Sequence, residues 1–486
     1  MEVIHAPNLN AQHLPWFNVA APLDLADLKG SVTVLDFWTF CCINCIHIIP
    51  TLKRIEAKFA DDLVVIGVHS PKFPGEKRTE NLERAVQRYE IAHPIVHDRD
   101  FTIWKNYTVR AWPTLVFIDP MGYIIGELAG EPDPDILEAT LDNLLTALKD
   151  KNLLEGGARK LLRPIQEEAA TTLRFPGKIA YSVEDGGFAI ADANHNQIVL
   201  ADRQGKITHR IGSGATGQKD GGFEEAEFYR PQGLAYHAGV VWVADTENHL
   251  LRKIDIAAGR VSTLCGTGQQ GSYLLHTTPA RQVGISSPWD VALDGHRLYF
   301  ANAGTHQIGV YDIENHTAGP FAGTGQEALL DGPLGEAAFA QTSGLSLGED
   351  GLYLADSETS AIRVISLSGE GRVDTLVGTG LFDYGDKDGK GQEALLQHPL
   401  GVHVSGGKVF IADSYNHKIR MLDLATREVR TVSASANLVC DDVTCTRLWE
   451  PAGVLMQDER LYVSDTNNHR ILEIDLASGT TQRFIG

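Results

Sequence analysis

Residues 31–45 read SVTVLDFWTFCCINC and decide the fold of the first part of the chain. The first eight of these residues are rich in apolar and β-branched side chains, which predicts a buried strand. A helical pattern follows from about Cys42 to Ala60. Cys42 and Cys45 therefore form a Cys-x-x-Cys pair at a predicted helix N-terminus, where the helix dipole and free N–H groups favour a thiolate.

The remainder of residues 1–154 alternates between strand and helix patterns. Further strands are predicted at 63–70, 94–97, 114–119 and 123–128, and further helices at 80–91 and 133–153. The order strand–helix–strand–helix, then a hairpin and a last helix, indicates an α/β sheet that is covered by helices.

Two later segments strengthen the interpretation of the cysteine pair. Residues 112–114 read WPT before an apolar strand, and residues 119–122 read DPMG between two predicted strands. Together with the strand, Trp38 and the CCINC segment, they resemble the thioredoxin superfamily. The resemblance covers about residues 15–150 and implies a thioredoxin-like α/β fold.

The resemblance also implies roles for individual residues. Cys42 would be an exposed nucleophile, and Cys45, one helical turn later, would be the resolving thiol. Asp36 would be a buried carboxylate that assists deprotonation of the resolving thiol. Pro113 would be a cis-proline that faces the thiols.

Cys41 departs from the superfamily pattern, because a Trp usually precedes the pair. A vicinal Cys41–Cys42 pair allows an alternative disulfide or a sensor thiol. A zinc site is a further alternative, with His47 as the local fourth ligand. No second Cys-x-x-Cys follows at zinc-ribbon spacing, so zinc is disfavoured and we predict neither a metal nor a cofactor.

From about residue 170 the chain becomes Gly-rich with alternating strand patterns, and a repeat appears. Six alternating strands end in Asp or Asn at intervals of 52–57 residues, at Asp192, Asp245, Asn302, Asp356, Asp413 and Asp465. Each unit holds about four strands and cannot bury both of its faces alone. Radial stacking of six units therefore predicts a six-bladed β-propeller.

Residues 465–471, DTNNHRI, show the repeat most clearly and resemble NHL repeats. The predicted organisation is an α/β thioredoxin-like domain at 1–154, a linker at 155–169 and an all-β six-bladed NHL propeller at 170–486. The recurring Asp and Asn are interpreted as turn caps that bond to the main chain. A calcium-dependent lactonase channel remains an alternative for this part of the chain.

Composition limits the partners. Residues 1–150 carry 13 basic and 21 acidic side chains, and residues 151–486 carry 29 and 42, within a total net charge of −21. An acidic chain disfavours nucleic acid, since that affinity depends on Lys and Arg contacts to phosphates. No apolar run of 18 residues is present, so no membrane span is predicted. The few, clustered cysteines and the absence of a signal-like start predict a cytoplasmic location.

The leading hypothesis is a thiol-disulfide oxidoreductase module carried on a propeller that binds a protein client. Acidic segments at 220–227 and 383–388 favour a basic or neutral protein surface as the partner. Cys440 and Cys445 could form a local disulfide or be a redox target of Cys42. The alternatives are a non-catalytic interaction scaffold that uses both domains for docking, and a propeller hydrolase with a regulatory thioredoxin-like domain.

The charge leads to a first prediction. We expect the full chain not to bind single-stranded RNA, because its propeller carries an excess of acidic side chains. The measurement is fluorescence anisotropy of a labelled RNA at several salt concentrations. A submicromolar affinity that falls with added salt would contradict the preference for a protein partner.

Overall fold

The computed structural model describes residues 4–9, 11–156, 170–432, 438–440 and 445–486. Its internal contacts divide the chain into two units, Met1–Ala169 and Ala170–Gly486. Of the predicted linker, residues 157–169 lie outside the described residues. Among the described helices, none has the length and apolar character needed to cross a bilayer.

The first unit is built on a seven-stranded sheet of order β1-β7-β6-β3-β4-β5-β2. Its strands are β1 (Ile4–His5), β2 (Trp16–Phe17), β3 (Val32–Trp38), β4 (Leu63–His69), β5 (Ile95–His97), β6 (Thr114–Ile118) and β7 (Tyr123–Ala129). Its helices are α1 (Ile43–Lys58), α2 (Thr79–Arg88), α3 (Thr102–Asn106) and α4 (Pro134–Asp150). Strand β3 is central, parallel to β4 and antiparallel to β6.

The side chains of β3 alternate between two separate apolar cores, one on each face of the sheet. Val32 and Val34 pack with side chains of α1 and α4 on one face of the sheet, and Leu35 and Phe37 pack on the other face. Because side chains alternate along a strand, Asp36 lies on the same face as Val34. The strand thus directs one buried carboxyl toward the side of the sheet that α1 covers.

The second unit is a six-bladed propeller, as the repeat predicts. The strands of blades 1 to 3 are β8 (Pro176–Ser182), β9 (Gly187–Asp192), β10 (Gln197–Ala201), β11 (Ile207–Ile211); β12 (Gly221–Gly222), β13 (Gly233–His237), β14 (Val240–Asp245), β15 (Leu250–Asp255), β16 (Arg260–Cys265); β17 (Thr278–Pro279), β18 (Pro288–Asp294), β19 (Arg297–Asn302), β20 (Gln307–Asp312) and β21 (Thr317–Ala322). The strands of blades 4 to 6, with the two-stranded ribbon β32–β33 between the last two, are β22 (Gly332–Pro333), β23 (Thr342–Leu347), β24 (Gly351–Asp356), β25 (Ala361–Ser366), β26 (Arg372–Val377); β27 (Gly389–Lys390), β28 (Gly401–Ser405), β29 (Lys408–Asp413), β30 (Lys418–Asp423), β31 (Glu428–Thr431); β32 (Leu438–Cys440), β33 (Cys445–Arg447); β34 (Gly453–Gln457), β35 (Arg460–Asp465), β36 (Arg470–Asp475) and β37 (Thr481–Ile485).

The repeated Asp or Asn closes a loop within its own blade. In every blade its Oδ1 accepts a main-chain N–H from a residue 16 to 18 positions earlier, as Asp245 does from Tyr229 at 2.8 Å. In blade 2 the other oxygen of Asp245 also pairs with buried Arg252 at 2.8 Å. These bonds show that the repeated Asp or Asn has a structural role.

The residue that ends the repeated turn joins each blade to the next. It adopts the left-handed conformation with φ between 51° and 58° and accepts the main-chain N–H of the next blade at 2.9–3.1 Å. The acceptors are Nδ1 of His249, His306, His417 and His469, Oδ1 of Asn196 and Oγ of Ser360. All six junctions are therefore closed by the same bond with three kinds of side chain.

In the described residues, no blade combines strands from the two ends of the propeller unit, since blades 1 and 6 are each built from four consecutive strands. The His469 bond to the Phe175 N–H spans the closing junction, and Thr466 Oγ1 donates to the Pro176 carbonyl at 2.8 Å. Ile179 of blade 1 and Leu455 of blade 6 belong to one apolar cluster. Closure is thus a packed junction like the other five.

Replacement of His306 tests the junction bond. Asn at this position can accept the Gln341 N–H and tolerates the left-handed conformation, so His306→Asn should unfold at nearly the wild-type temperature. His306→Leu leaves a buried N–H without its acceptor, which we expect to destabilise the propeller by roughly 1–3 kcal/mol. Differential scanning calorimetry of the full chain gives both values, and equal midpoints for the two variants would contradict the assigned role.

Candidate redox site

The cysteine pair lies where strand β3 leads into helix α1. Strand β3 ends at Trp38, and Cys42 is the N-cap residue of α1, with its carbonyl accepting the Ile46 N–H at 3.1 Å. Cys42 is only 6% exposed, so the expectation of an exposed nucleophile is wrong. It is nevertheless the most exposed of the cysteines whose side chains are described; Cys45 is fully buried.

Cys42 and Cys45 are not joined by a disulfide, and their thiols interact with each other. Burial raises the pKa of Cys45 well above its usual range, and a hydrogen bond with Cys42 and the charge of Asp36 raise it further. The Cys45 thiol therefore holds its proton strongly and needs a base to release it.

Asp36 supplies a carboxyl beside this pair. It is 2% exposed, and burial raises its pKa from 3.8 to about 7, while the charge of His93 opposes the rise. Its Oδ1 atom has no hydrogen-bond partner within the described part of the chain. A carboxyl that changes charge near neutral pH and influences the Cys45 thiol is suited to exchange a proton with it.

The Trp112–Pro113 peptide bond is cis. Trp112 Nε1 donates to the Ser70 carbonyl at 2.9 Å, which fixes the segment against the end of β4. The proposed contact of Pro113 with the thiols and the role of Cys41 stay predictions.

Glu76 is a site residue that the sequence analysis missed. It is fully buried, and its Oε1 accepts the Thr39 hydroxyl at 2.6 Å and the Cys41 N–H at 3.0 Å. Its Oε2 accepts the N–H groups of Lys72 and Phe73 at 2.8 and 3.0 Å. Because 35 residues separate Glu76 from Cys41, no local spacing in the sequence signals this contact.

A buried imidazole lies next to Glu76. Neither ring nitrogen of His69 has a hydrogen-bond partner among the described residues, and its Nε2 is 4.0 Å from Glu76 Oε1, too far for a hydrogen bond. Burial lowers the pKa of His69 well below its usual range, and the charge of neighbouring His97 lowers it further. His69 is therefore neutral at physiological pH and does not balance the charge of Glu76.

The structure gives no support to the zinc alternative. His47, the proposed fourth ligand, has Nδ1 at 3.1 Å from Glu131 Oε1. Across the ranges that the structure describes, no group of three His, Cys, Asp or Glu side chains is arranged to hold a metal ion.

Some of the acidic side chains proposed for partner binding form ion pairs with arginines of the propeller itself. Asp220 pairs with buried Arg252 at 2.9 Å and accepts the hydroxyl of Thr263. Asp386 and Asp388 both pair with buried Arg420. These three carboxylates hold strands together, which weakens the argument from loop charge for a basic partner.

One strand from each blade lines a cavity of about 450 Å³, and these strands are β8, β13, β18, β23, β28 and β34. Where four blades carry Gly, blades 1 and 3 carry Lys178 and Asp290. Lys178 Nζ donates to the carbonyls of Ala452 (2.7 Å) and Leu400, and Asp290 accepts the Leu345 N–H at 2.9 Å. Burial lowers the pKa of Lys178 to about 8 and raises that of Asp290 to about 6. The hydrogen bonds of Lys178 and Asp290 join different blades around the axis, which is a structural role.

The cysteines of the propeller differ from the pair in α1. Cys265 is fully buried, and burial raises its pKa to about 12. Cys440 and Cys445 face each other in the register of β32 and β33. Their side chains lie outside the described atoms, so the suggested local disulfide stays a prediction.

Comparison with known proteins agrees with both units. The Thioredoxin-like family matches residues 30–124, and the NHL repeat family matches residues 228–254. The thiol-disulfide oxidoreductase ResA of Bacillus thuringiensis is 27% identical over 122 residues, which are 25% of this chain and 68% of that protein.

Two relatives cover almost the whole chain. Protein SUPPRESSOR OF QUENCHING 1, chloroplastic, from Arabidopsis thaliana is 42% identical over 97% of this chain, which spans only 47% of that protein. Human NHL repeat-containing protein 2 is 39% identical over 95% of this chain and 69% of its own length. At this identity and coverage, the chain belongs to the NHL repeat-containing protein 2 family.

Proposed function

We propose that the thioredoxin-like unit catalyses thiol–disulfide exchange through Cys42 and Cys45. The observation that carries this proposal is the arrangement of the two thiols, with Cys42 at the N-cap of α1 and Cys45 buried one turn later in contact with it. A helix N-terminus favours a thiolate on the first cysteine. Similarity to the thiol-disulfide oxidoreductase ResA supports the same chemistry.

The first step is attack of the Cys42 thiolate on a disulfide of the client. A bond forms between Cys42 Sγ and one client sulfur, the client disulfide breaks, and the other client sulfur leaves as a thiolate that takes a proton from water. Because Cys42 is only 6% exposed, the client has to present its disulfide close to the N-terminus of α1.

The second step releases the client. Asp36 as a carboxylate takes the proton of Cys45, and the Cys45 thiolate attacks Cys42 Sγ. The Cys42–Cys45 disulfide forms, and the second client sulfur leaves as a thiolate. The client has gained two electrons and the pair has lost two, so a dithiol reductant must restore the pair.

The propeller would bind the protein client or partner, and a reducing compartment such as the cytoplasm would keep the pair in its free-thiol form. Its six blades expose loops that can recognise a protein. Support for a protein rather than a nucleic acid rests on the net charge of −21. The alternative of a non-catalytic scaffold is favoured by one observation, the low exposure of Cys42.

Trapping a mixed disulfide separates these two functions. In Cys45→Ser the second step is blocked, so a peptide with a strained disulfide should remain attached to Cys42. Mass spectrometry should locate the attachment, and Cys42→Ser should abolish it. Attachment to Cys41 in preference to Cys42 would contradict the assignment. No attachment to either thiol would contradict the exchange function and favour the non-catalytic scaffold.

The role of Asp36 predicts a pH dependence. Below pH 7 the carboxyl is protonated and cannot accept the Cys45 proton, so the rate of client release should rise through pH 7 and then level off. Asp36→Asn should slow release about a hundredfold and remove this rise. Release of a coloured aromatic thiolate from Cys42, followed by stopped flow in a Cys41→Ser background, measures the rate.

Stability provides the control for this variant. Between about pH 4 and pH 7 folded Asp36 keeps a proton that the unfolded chain releases, so rising pH removes stability across this window. Asp36→Asn does not titrate and should gain stability relative to wild type as the pH rises from 4 to 7. A slow but stable variant supports the proton-transfer role, whereas an unchanged release rate would refute it.

A further inference from the structure

Glu76 is a buried acid with four hydrogen-bond donors around it, two of which belong to the loop before Cys42. It accepts the Thr39 hydroxyl and the N–H groups of Cys41, Lys72 and Phe73, at distances of 2.6 to 3.0 Å. Both of its oxygens are used, and the side chain is fully buried. A carboxylate can accept four such bonds, whereas an amide at the same place would turn its NH₂ group toward donors.

These bonds also determine where the charge of Glu76 acts. Thr39 and Cys41 belong to the loop that connects β3 with Cys42, so the carboxylate is bonded to the residue directly before the nucleophile. The imidazole of His69, with Nε2 at 4.0 Å from Glu76 Oε1, is neutral, because burial holds its pKa well below its usual range. The negative charge is therefore stabilised by hydrogen bonds and is not cancelled by a cation at His69.

We propose that Glu76 is a positioning residue of the redox site that holds the Thr39–Cys42 loop and keeps the Cys42–Cys45 pair at a more reducing potential. This inference rests on the proposed exchange function and adds a means by which the chain sets the strength of its reducing pair. Glu76 acts through the loop and through its charge, without itself reacting.

The direction of the effect follows from charge. The reduced pair becomes negatively charged when Cys42 ionises, whereas the disulfide carries no charge. A buried negative charge nearby disfavours the thiolate relative to the disulfide, because the local dielectric is low. Destabilising the reduced thiolate makes the pair a stronger reductant.

Two variants should move the potential in opposite directions. Glu76→Gln removes the charge, so the pair should become more oxidising, by about tenfold in its equilibrium constant with glutathione, which corresponds to about 30 mV. Thr39→Val keeps the shape of the side chain but removes one donor from the carboxylate. The less stabilised charge should then make the pair more reducing, by a smaller factor.

The opposite signs separate charge from damage to the loop. A loosened loop would expose Cys42 in both variants and accelerate its alkylation by iodoacetamide in both. The proposed charge effect instead accelerates alkylation of Cys42 in Glu76→Gln and slows it in Thr39→Val. Glu80→Gln removes an exposed charge from the start of α2 and should change neither quantity.

The experiment equilibrates the full-length variants in glutathione buffers of defined ratio and quantifies the Cys42–Cys45 disulfide by mass spectrometry. If Glu76→Gln does not fold, Thr39→Val alone decides, and an unchanged or more oxidising pair overturns the inference. Equal constants for wild type and Glu76→Gln also overturn it. A wild-type pair that forms no disulfide in any buffer contradicts the proposed exchange function itself, so the two failures are distinct.

Discussion

Buried carboxylates that accept main-chain N–H groups hold the loops of both units. In the first unit Glu76 bonds to the loop before Cys42, and Asp98 accepts three consecutive N–H groups at the start of α3. In the propeller the repeated Asp or Asn does the same in each blade. Hydrogen bonds to charged groups contribute roughly 1.5–3 kcal/mol each, so each of these acceptors adds substantially to the stability of the loop that it holds.

Hydrogen bonds to buried acids have a different role in each of the two units. Repetition at equivalent places in six blades makes the five carboxylates and the one amide parts of a scaffold, and buried arginines such as Arg252 and Arg363 pair with several of the carboxylates. Glu76 occurs once and lies beside a neutral imidazole. An acid held by hydrogen bonds beside a neutral imidazole can act on its surroundings through its charge, whereas the charge of an acid paired with an arginine is largely balanced.

The sequence predicted those features that depend on periodicity. The strand and helix around the cysteine pair, the order of the longer elements of the first unit and the six blades all follow from spacing along the chain, whereas the two-residue strands β1 and β2 were not predicted. Helix α3 was not predicted, because its five residues are too few for a pattern. The pairing of Asp220 with Arg252 and of Glu76 with Cys41 joins residues 32 and 35 positions apart, and only the folded chain brings such residues together.

The same geometry bears on the choice between the vicinal cysteines. Cys41 is 2% exposed, and its Sγ is 3.8 Å from the Thr39 hydroxyl that donates to Glu76. A second negative charge on this side of the loop would be repelled by that carboxylate. Cys42 instead interacts with Cys45 and lies at the N-terminus of α1, where a negative charge is favoured. The loop thus places the two adjacent thiols in different surroundings, and the helix N-terminus favours Cys42 over Cys41 as the nucleophile of the proposed exchange.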